Sequence, residues 1–260
     1  MLDQLQPRQR LTELKLGFMF LTRLPLAHDA PVAKGELAQA LWTAPLVGIV
    51  VGLAGAIVFS VALAFHVPLL PTAVLTVAVT TVMTGALHED GLADVADGFG
   101  GGATRERKLD IMRDSRIGTY GVCALILSFL LRVFAMAELG DNAAVLPALI
   151  AAHAGARAGI PVFMQLVPSA RADGLSADAG APTSVVSSVA ALIGAVVLVA
   201  CLGIKAGIVA LLLLGAAGII MAWLCRQQIQ GQTGDVLGAF EQAGEMIVLL
   251  VAAAVIAIPR

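Results

Sequence analysis

The feature that most constrains this chain is the alternation of long apolar runs with a few short segments that hold most of the charge. Residues 88–121 carry seven of the 18 acidic and five of the 16 basic side chains, whereas the segments on either side are almost purely apolar. With 59% hydrophobic and only 13% charged residues, the composition is that of an integral membrane protein. Since a membrane-spanning helix needs ~20 residues, the chain has room for roughly seven.

The apolar runs predict one all-α domain over residues 1–260, a polytopic bundle of about seven transmembrane helices. We place these helices at about 41–65, 68–87, 119–139, 143–167, 185–204, 206–225 and 243–258. The N-terminal segment is too short and too interrupted to span. Its apolar stripe, made of Leu11, Leu14, Phe18 and Leu21, predicts an amphipathic helix that lies at the membrane interface or packs on the other helices.

Seven spans would sort the basic residues by side of the membrane. The connections on the side of the N-terminus hold twelve lysines and arginines, whereas the other side holds only Lys205 and Arg260. Because basic residues accumulate on the cytoplasmic side, this bias predicts that the N-terminus and the loop that begins at His88 face the cytoplasm.

A helix over 89–98 would place Asp90, Asp94 and Asp97 on one face, with Glu89 beside them. Two carboxylates ~6 Å apart repel by about 3 kcal/mol at an effective dielectric near 20, so such a face favours a bound cation. Oxygen ligands without cysteine favour Mg²⁺ over Zn²⁺. The alternative is a solvated acidic helix end.

The segment that follows adds groups suited to phosphate. Arg113 and Arg116 supply guanidinium groups, and Asp110 and Asp114 repeat the acidic spacing. The glycine run at 98–102 is compatible with a phosphate cradle or with a hinge. Acids for a divalent ion together with arginines for phosphates indicate phosphoryl transfer.

Two further features fall on the side of the N-terminus or inside the bundle. The segment 226–242 contains Thr233, Asp235 and Glu241, and Glu245 follows shortly after it. Glu241 and Glu245 form an i,i+4 pair that we place at the mouth of the last span. Arg157 lies mid-span and requires an anionic partner, either a substrate phosphate or an acid of the protein. We expect Arg132 to extend towards the outer interface and His153 to be structural.

These residues resemble a known family. The runs HEDGLADVADGFGGG (88–102), MRDSRIGTYG (112–121), FLTRLPL (20–26), ARADGL (170–175) and TGDVLGAFEQAGE (233–245) closely resemble the adenosylcobinamide-GDP ribazoletransferases, the cobalamin-5'-phosphate synthases. The likeness covers nearly the whole chain. It implies a Mg²⁺-dependent inner-membrane enzyme that joins α-ribazole or its 5'-phosphate to adenosylcobinamide-GDP and releases GMP.

On this basis we predict the roles of the site residues. Glu89, Asp90, Asp94 and Asp97 would bind Mg²⁺, and Asp114 or Asp235 would act as general base. The predicted substrate-binding residues are His88, Arg113, Arg116, Arg157, Thr233, Glu241 and Glu245. The lipid bilayer surrounds the protein, and self-association is left open.

Other classes fit less well. The net charge of −2 leaves no basic surface for a nucleic acid. A CDP-alcohol phosphotransferase also uses clustered aspartates, but this chain lacks the Ala-Arg expected soon after Asp-Gly. A cation transporter would need acids within its spans, and the predicted spans hold almost none.

Overall fold

A computed structural model of the protein describes residues 7–26 and 32–256, and within these ranges the regular structure is helical, as predicted. The helices are α1 (Pro7–Leu21), α2 (Glu36–Ala40), a 3₁₀ turn (Leu41–Thr43), α3 (Ala44–Ala64), α4 (Leu69–Thr84), α5 (Leu87–Gly101), α6 (Arg105–Ile111), α7 (Thr119–Leu139), α8 (Asn142–Leu166), α9 (Leu175–Ala179), α10 (Ser184–Gln228) and α11 (Gly234–Ile256).

Among the described residues, five helical stretches are long and apolar enough to cross a membrane. They are Glu36–Ala64, Thr119–Leu139, Asn142–Leu166, Ser184–Gln228 and Gly234–Val255. A sixth is obtained if α4 and α5, which meet at 91°, form one broken span. The fold is therefore a polytopic membrane bundle, whereas the predicted number of seven spans is not confirmed.

Helix α10 is interrupted at Gly203, whose φ of 79° lies in the left-handed region that glycine adopts without a steric penalty. A Cβ on Gly207 would lie only 2.8 Å from Cα of Val199, so the chain doubles back at this point. The two arms of α10, residues 184–202 and 204–228, correspond to the two helices predicted at 185–204 and 206–225.

Helix α8 lies at the centre of the bundle and packs against α3, α10 and α11. Glycines allow the helices to approach closely: a Cβ on Gly48 of α3 would meet the backbone carbonyl of His153 in α8, and a Cβ on Gly194 would meet Ala158. Small residues serve this purpose in membrane bundles, where close backbone contact supplies much of the association energy.

Helix α5 crosses one end of the bundle, where it packs against α11 and α7. An isolated β-bridge between Ser169 and Gln232 links the α8–α9 connection to the α10–α11 connection there. Its two hydrogen bonds run from Ala170 N to Gln232 O (2.8 Å) and from Gln232 N to Pro168 O (2.9 Å). Separate parts of the sequence thus converge on one end of the bundle.

One boundary differs clearly from expectation. The last span was predicted from residue 243, but α11 begins at Gly234. Its glutamates made this stretch look like a loop, and they lie inside the bundle because arginines neutralise them there. Helix α1 is present as predicted, with Leu16 and Leu21 buried and Leu11 exposed, and it packs against α2, the 3₁₀ turn and α3.

Candidate active site

A cavity of about 240 Å³ opens between α5, the N-terminus of α11 and the connection after α8. Its polar lining comes from these three regions, and the residues are His88, Asp90, Ser169, Arg171, Asp173, Ser176, Thr233 and Asp235. Apolar side chains, among them Leu37, Leu41, Ile160 and Leu237, form the rest of the wall. This composition suits a polar ligand that also carries apolar groups.

Three carboxylates, which we call the cavity acids, lie in or beside this cavity: Asp90 and Asp235 line it, and Asp94 follows Asp90 by one turn of α5. Asp94 lies within electrostatic range of Asp90 and Asp235. The side chains of Asp90 and Asp94 make no hydrogen bond or ion pair within the described part of the chain, whereas Asp235 accepts a hydrogen bond from the Thr233 hydroxyl at 3.1 Å. Arg171 lies within electrostatic range of Asp94 and Asp235, but no lysine or arginine of the described residues forms an ion pair with any of the three. Because all the donors are oxygen atoms, this set fits a hard divalent cation such as Mg²⁺.

The other two predicted metal ligands are engaged elsewhere. The carboxylate of Asp97 is buried and accepts hydrogen bonds from the backbone N–H groups of Gly118 (2.7 Å) and Gly121 (2.9 Å), which fixes the start of α7 to α5. Glu89 is buried on another face of α5, where it pairs with Arg132 at 3.2 Å and accepts a hydrogen bond from Thr81. The structure therefore separates Glu89 from the cavity acids and gives Asp97 a positioning role.

Of the two arginines predicted from the 112–121 segment, only Arg113 stays close to the cavity. It pairs with Asp173, a lining residue, and lies within electrostatic range of Asp235. Arg116 is turned to solvent, with 86% of its side chain exposed, and pairs with Asp114 at 2.6 Å. The hydrogen bonds from Arg116 lower the pKa of Asp114 to about 2, which makes Asp114 a poor proton acceptor. The prediction that Arg116 and Asp114 act in the site is not supported by their positions.

Arg171 is a cavity residue that the sequence analysis did not assign. Its Nη2 donates to the backbone carbonyl of Leu109 at 2.7 Å, and its buried Nε has no hydrogen-bond partner among the described residues. Burial lowers the pKa of this guanidinium, while the nearby Asp235 opposes the effect. The signal was the ARADGL run, which could not show on its own that the loop folds back against α6.

Thr233 and Gln232 position the third cavity acid. The Thr233 hydroxyl accepts a hydrogen bond from the N–H of Val236 (3.4 Å) and so caps α11, while it donates to Asp235. Gln232 receives a hydrogen bond from Ser176 at 2.8 Å. Thr233 thus lines the cavity, and its hydroxyl also holds the carboxylate of Asp235.

Behind the cavity lies a buried ion network made of Glu89, Arg132, His153, Arg157, Glu241 and Glu245. Arg157 contacts both Glu241 and Glu245 (2.9 Å to the latter), and Arg132 bridges Glu89 and Glu245 at 3.2 and 3.1 Å. These six residues are at most 5% exposed. They join α5, α7, α8 and α11 at their common centre.

The network corrects four expectations. Glu241 and Glu245 are not at the mouth of a span but inside the bundle, where they neutralise Arg157, so the three do not face the cavity as substrate-binding residues. Arg132 does not extend to the interface. The spans do contain acids, so the argument against a transporter, whose spans would need acidic residues, was wrong. His153, Glu241 and Glu245 could group around a metal ion by distance, but the guanidinium of Arg157 already supplies their positive charge.

His88 connects the two regions. Its Nδ1 lies 3.5 Å from Glu241 and 3.4 Å from Arg157, on the network side. Its Nε2 is buried and has no hydrogen-bond partner in the ranges that the structure describes, although the residue lines the cavity. The histidine is therefore held by the network while one nitrogen stays available to a ligand.

Together the fold and the cavity define a polytopic helical membrane protein with an acid-lined, arginine-flanked site at one end of its bundle. The family model of cobalamin-5-phosphate synthase (CobS) matches residues 13–253. The chain belongs to this family, as its resemblance predicted.

Curated relatives agree over almost the full length. Adenosylcobinamide-GDP ribazoletransferase of Bradyrhizobium diazoefficiens is 54% identical over 247 residues, which cover 95% of each chain. The proteins of the same name from Mesorhizobium japonicum and Azorhizobium caulinodans are 51% and 43% identical; the alignments cover 95% and 92% of this chain and 95% and 94% of the relatives. No solved structure matches the chain significantly.

Proposed function

We propose that this protein is an adenosylcobinamide-GDP ribazoletransferase and that the acid-lined cavity is its active site. It transfers the phosphocobinamide group of adenosylcobinamide-GDP to α-ribazole or α-ribazole 5'-phosphate, the last step in assembling the nucleotide loop of cobalamin. The products are adenosylcobalamin, or its 5'-phosphate, and GMP. The observation that carries the proposal is the group of cavity acids, none of which forms an ion pair within the described residues, in a chain that matches this family over residues 13–253.

Asp90 and Asp94 would hold Mg²⁺, since both carboxylates are free of hydrogen bonds and ion pairs in the described residues. Bound there, the ion would neutralise the diphosphate of the activated corrinoid where it faces these two carboxylates of like charge. Asp97 does not need to be a ligand in this arrangement. Its bonds to Gly118 and Gly121 fix the far end of α5 and so the direction of the acidic face.

Arg171 and Arg113 would bind the phosphates. Arg171 lies in the cavity wall with an unpartnered Nε, and Arg113 is close enough to act on Asp235. Guanidinium groups at these places stabilise the negative charge that shifts to the departing GMP when the bond between the two phosphorus groups breaks. Nε2 of His88 is a further hydrogen-bonding group for the substrate.

The acceptor is the 3'-hydroxyl of the ribazole ribose, which attacks the phosphorus attached to cobinamide. Asp235 would take the hydroxyl proton: it lines the cavity and accepts a hydrogen bond from Thr233, whereas Asp114 is paired with the solvent-exposed Arg116. The new oxygen–phosphorus bond replaces the bond to GMP, so the number of phosphate groups is unchanged.

The reaction is tested with the purified protein in detergent or vesicles, supplied with adenosylcobinamide-GDP, α-ribazole 5'-phosphate and Mg²⁺. Equal amounts of adenosylcobalamin 5'-phosphate and GMP should form, and EDTA should abolish both. A parallel reaction with a CDP-linked lipid and an alcohol should give no CMP. Release of CMP without turnover of the corrinoid would replace the proposal by a phospholipid-type transferase.

We also propose that the cavity faces the cytoplasm of a bacterial inner membrane, as the twelve-to-two distribution of basic residues indicates. A reporter fused after Ser115 should be cytoplasmic and one fused at Asn142 external. The same sidedness at both positions would contradict this orientation.

A further inference from the structure

A second, larger cavity lies on the other side of α8 and α11 from the acidic one. It is a groove of about 800 Å³ between α8, the two arms of α10 and Phe240 of α11. Its lining is apolar and rich in small residues, including Gly155, Gly159, Gly194, Gly215 and Gly218. Phe163 and Phe240, stacked with ring centroids 5.1 Å apart, form part of its wall.

The groove has a polar end and an apolar end. Arg226 is the one charged residue of its lining, and Trp223 lies one turn before it with 60% of its surface exposed. Arg226 makes no ion pair within 7–26 and 32–256; Nη2 only approaches the carbonyl of Leu166 at 3.5 Å. Trp and Arg at the end of a span are typical of the headgroup level of a bilayer.

The length of the groove corresponds to one leaflet. Along α8 it extends from Gly155 to Leu166, which is about 17 Å at 1.5 Å per residue. This is about half of the ~30 Å hydrocarbon thickness. An acyl chain that enters at the Arg226 end would therefore reach the middle of the membrane where the groove stops.

We propose that this groove is a binding site for one anionic phospholipid, with an acyl chain between α8 and the arms of α10 and the phosphate at Arg226. The charge of Arg226 indicates which class of lipid binds, because an arginine without an ion pair at the mouth of an apolar groove complements an anionic headgroup. The same α8 and α11 that border the groove carry Ile160 and Leu237 in the wall of the acidic cavity, so the lipid would lie directly behind the active site.

The test compares phosphatidylglycerol with phosphatidylcholine. Protein exchanged into detergent micelles that contain equal amounts of the two lipids is analysed by native mass spectrometry. We expect one retained phosphatidylglycerol, favoured about fivefold over phosphatidylcholine. Equal retention of the two lipids would overturn the proposal.

Arg226→Gln should remove the preference, while Lys205→Gln should keep it, because Lys205 begins the second arm of α10 at the opposite end from Arg226. Preference that persists in Arg226→Gln would overturn the assignment of the headgroup site.

Gly215→Leu adds a side chain to the wall of the groove, at a position where a Cβ meets no atom within 4 Å. Retention of both lipids should fall about fourfold for each methylene displaced. Ala216→Leu, an exposed neighbour outside the groove, should leave retention unchanged. Unaltered retention in Gly215→Leu would show that lipid binds elsewhere. None of these readouts depends on catalytic activity, so their failure is distinct from failure of the proposed reaction.

Discussion

The cavity acids and the buried ion network contain the same kinds of side chain, yet they differ in how the charges are paired. In the network every glutamate contacts an arginine. In the cavity, Asp90 and Asp94 have no such partner among the described residues. The comparison shows that a high density of charged residues does not by itself indicate a binding site. Carboxylates that are already paired with arginines stabilise the helix packing, whereas carboxylates without an ion pair can bind a ligand.

The scaffold has an energetic consequence of its own. Burying ions is costly, and the pairing in the low-dielectric interior offsets that cost only while every partner is present. The six network residues come from four helices, three of which, α5, α8 and α11, also form the cavity. The network therefore fixes the relative positions of the segments that carry Asp90 and Asp235.

The largest expected effect is on the scaffold. Arg157→Gln leaves Glu241 without its charged partner and should lower the free energy of unfolding by about 3 to 5 kcal/mol. Thermal unfolding in detergent measures this, with the exposed Arg116→Gln as the matched control. If the variant is as stable as wild type but inactive, Arg157 acts in the active site and not in the scaffold.

The second effect tests the cavity. Asp94→Asn keeps the size of the side chain, so stability should remain unchanged while turnover falls at least about a hundredfold, more than is usual for loss of an outer-sphere partner. The assay is GMP release at saturating Mg²⁺. Near-normal turnover would show that Asp94 is a surface residue without a catalytic role. The proposed contrast between ligand-binding acids and structural acids would then be wrong.

A smaller effect distinguishes the arginines around the cavity. Arg171→Gln should lower kcat/KM for the GDP-activated corrinoid about tenfold, because one charge-assisted hydrogen bond to phosphate is lost. Arg116→Gln, whose side chain is directed to solvent, should change it less than about twofold. The reverse order would mean that the 112–121 segment, and not the connection after α8, binds the phosphates.

Several elements could be read from the sequence because their signals are local. The length of each apolar run indicates the spanning helices, and the i,i+4 spacing indicates that Asp90 and Asp94 share one face of α5. The partners of Glu89, Arg132 and Arg157 could not be read in this way, since they lie on other helices. The same reason explains why Glu241 and Glu245 were predicted at the end of a span. A glutamate next to an apolar run indicates a helix end unless the arginine that pairs with it, here on another helix, is known.

Direct metal binding tests the central claim, that the cavity acids hold a divalent cation while the network does not. Electron paramagnetic resonance can count Mn²⁺ bound to the purified protein in competition with Mg²⁺. We expect a bound Mn²⁺ that is lost in Asp94→Asn and retained in Glu89→Gln, because Glu89 faces Arg132. Loss of the ion in Glu89→Gln with retention in Asp94→Asn would contradict the account.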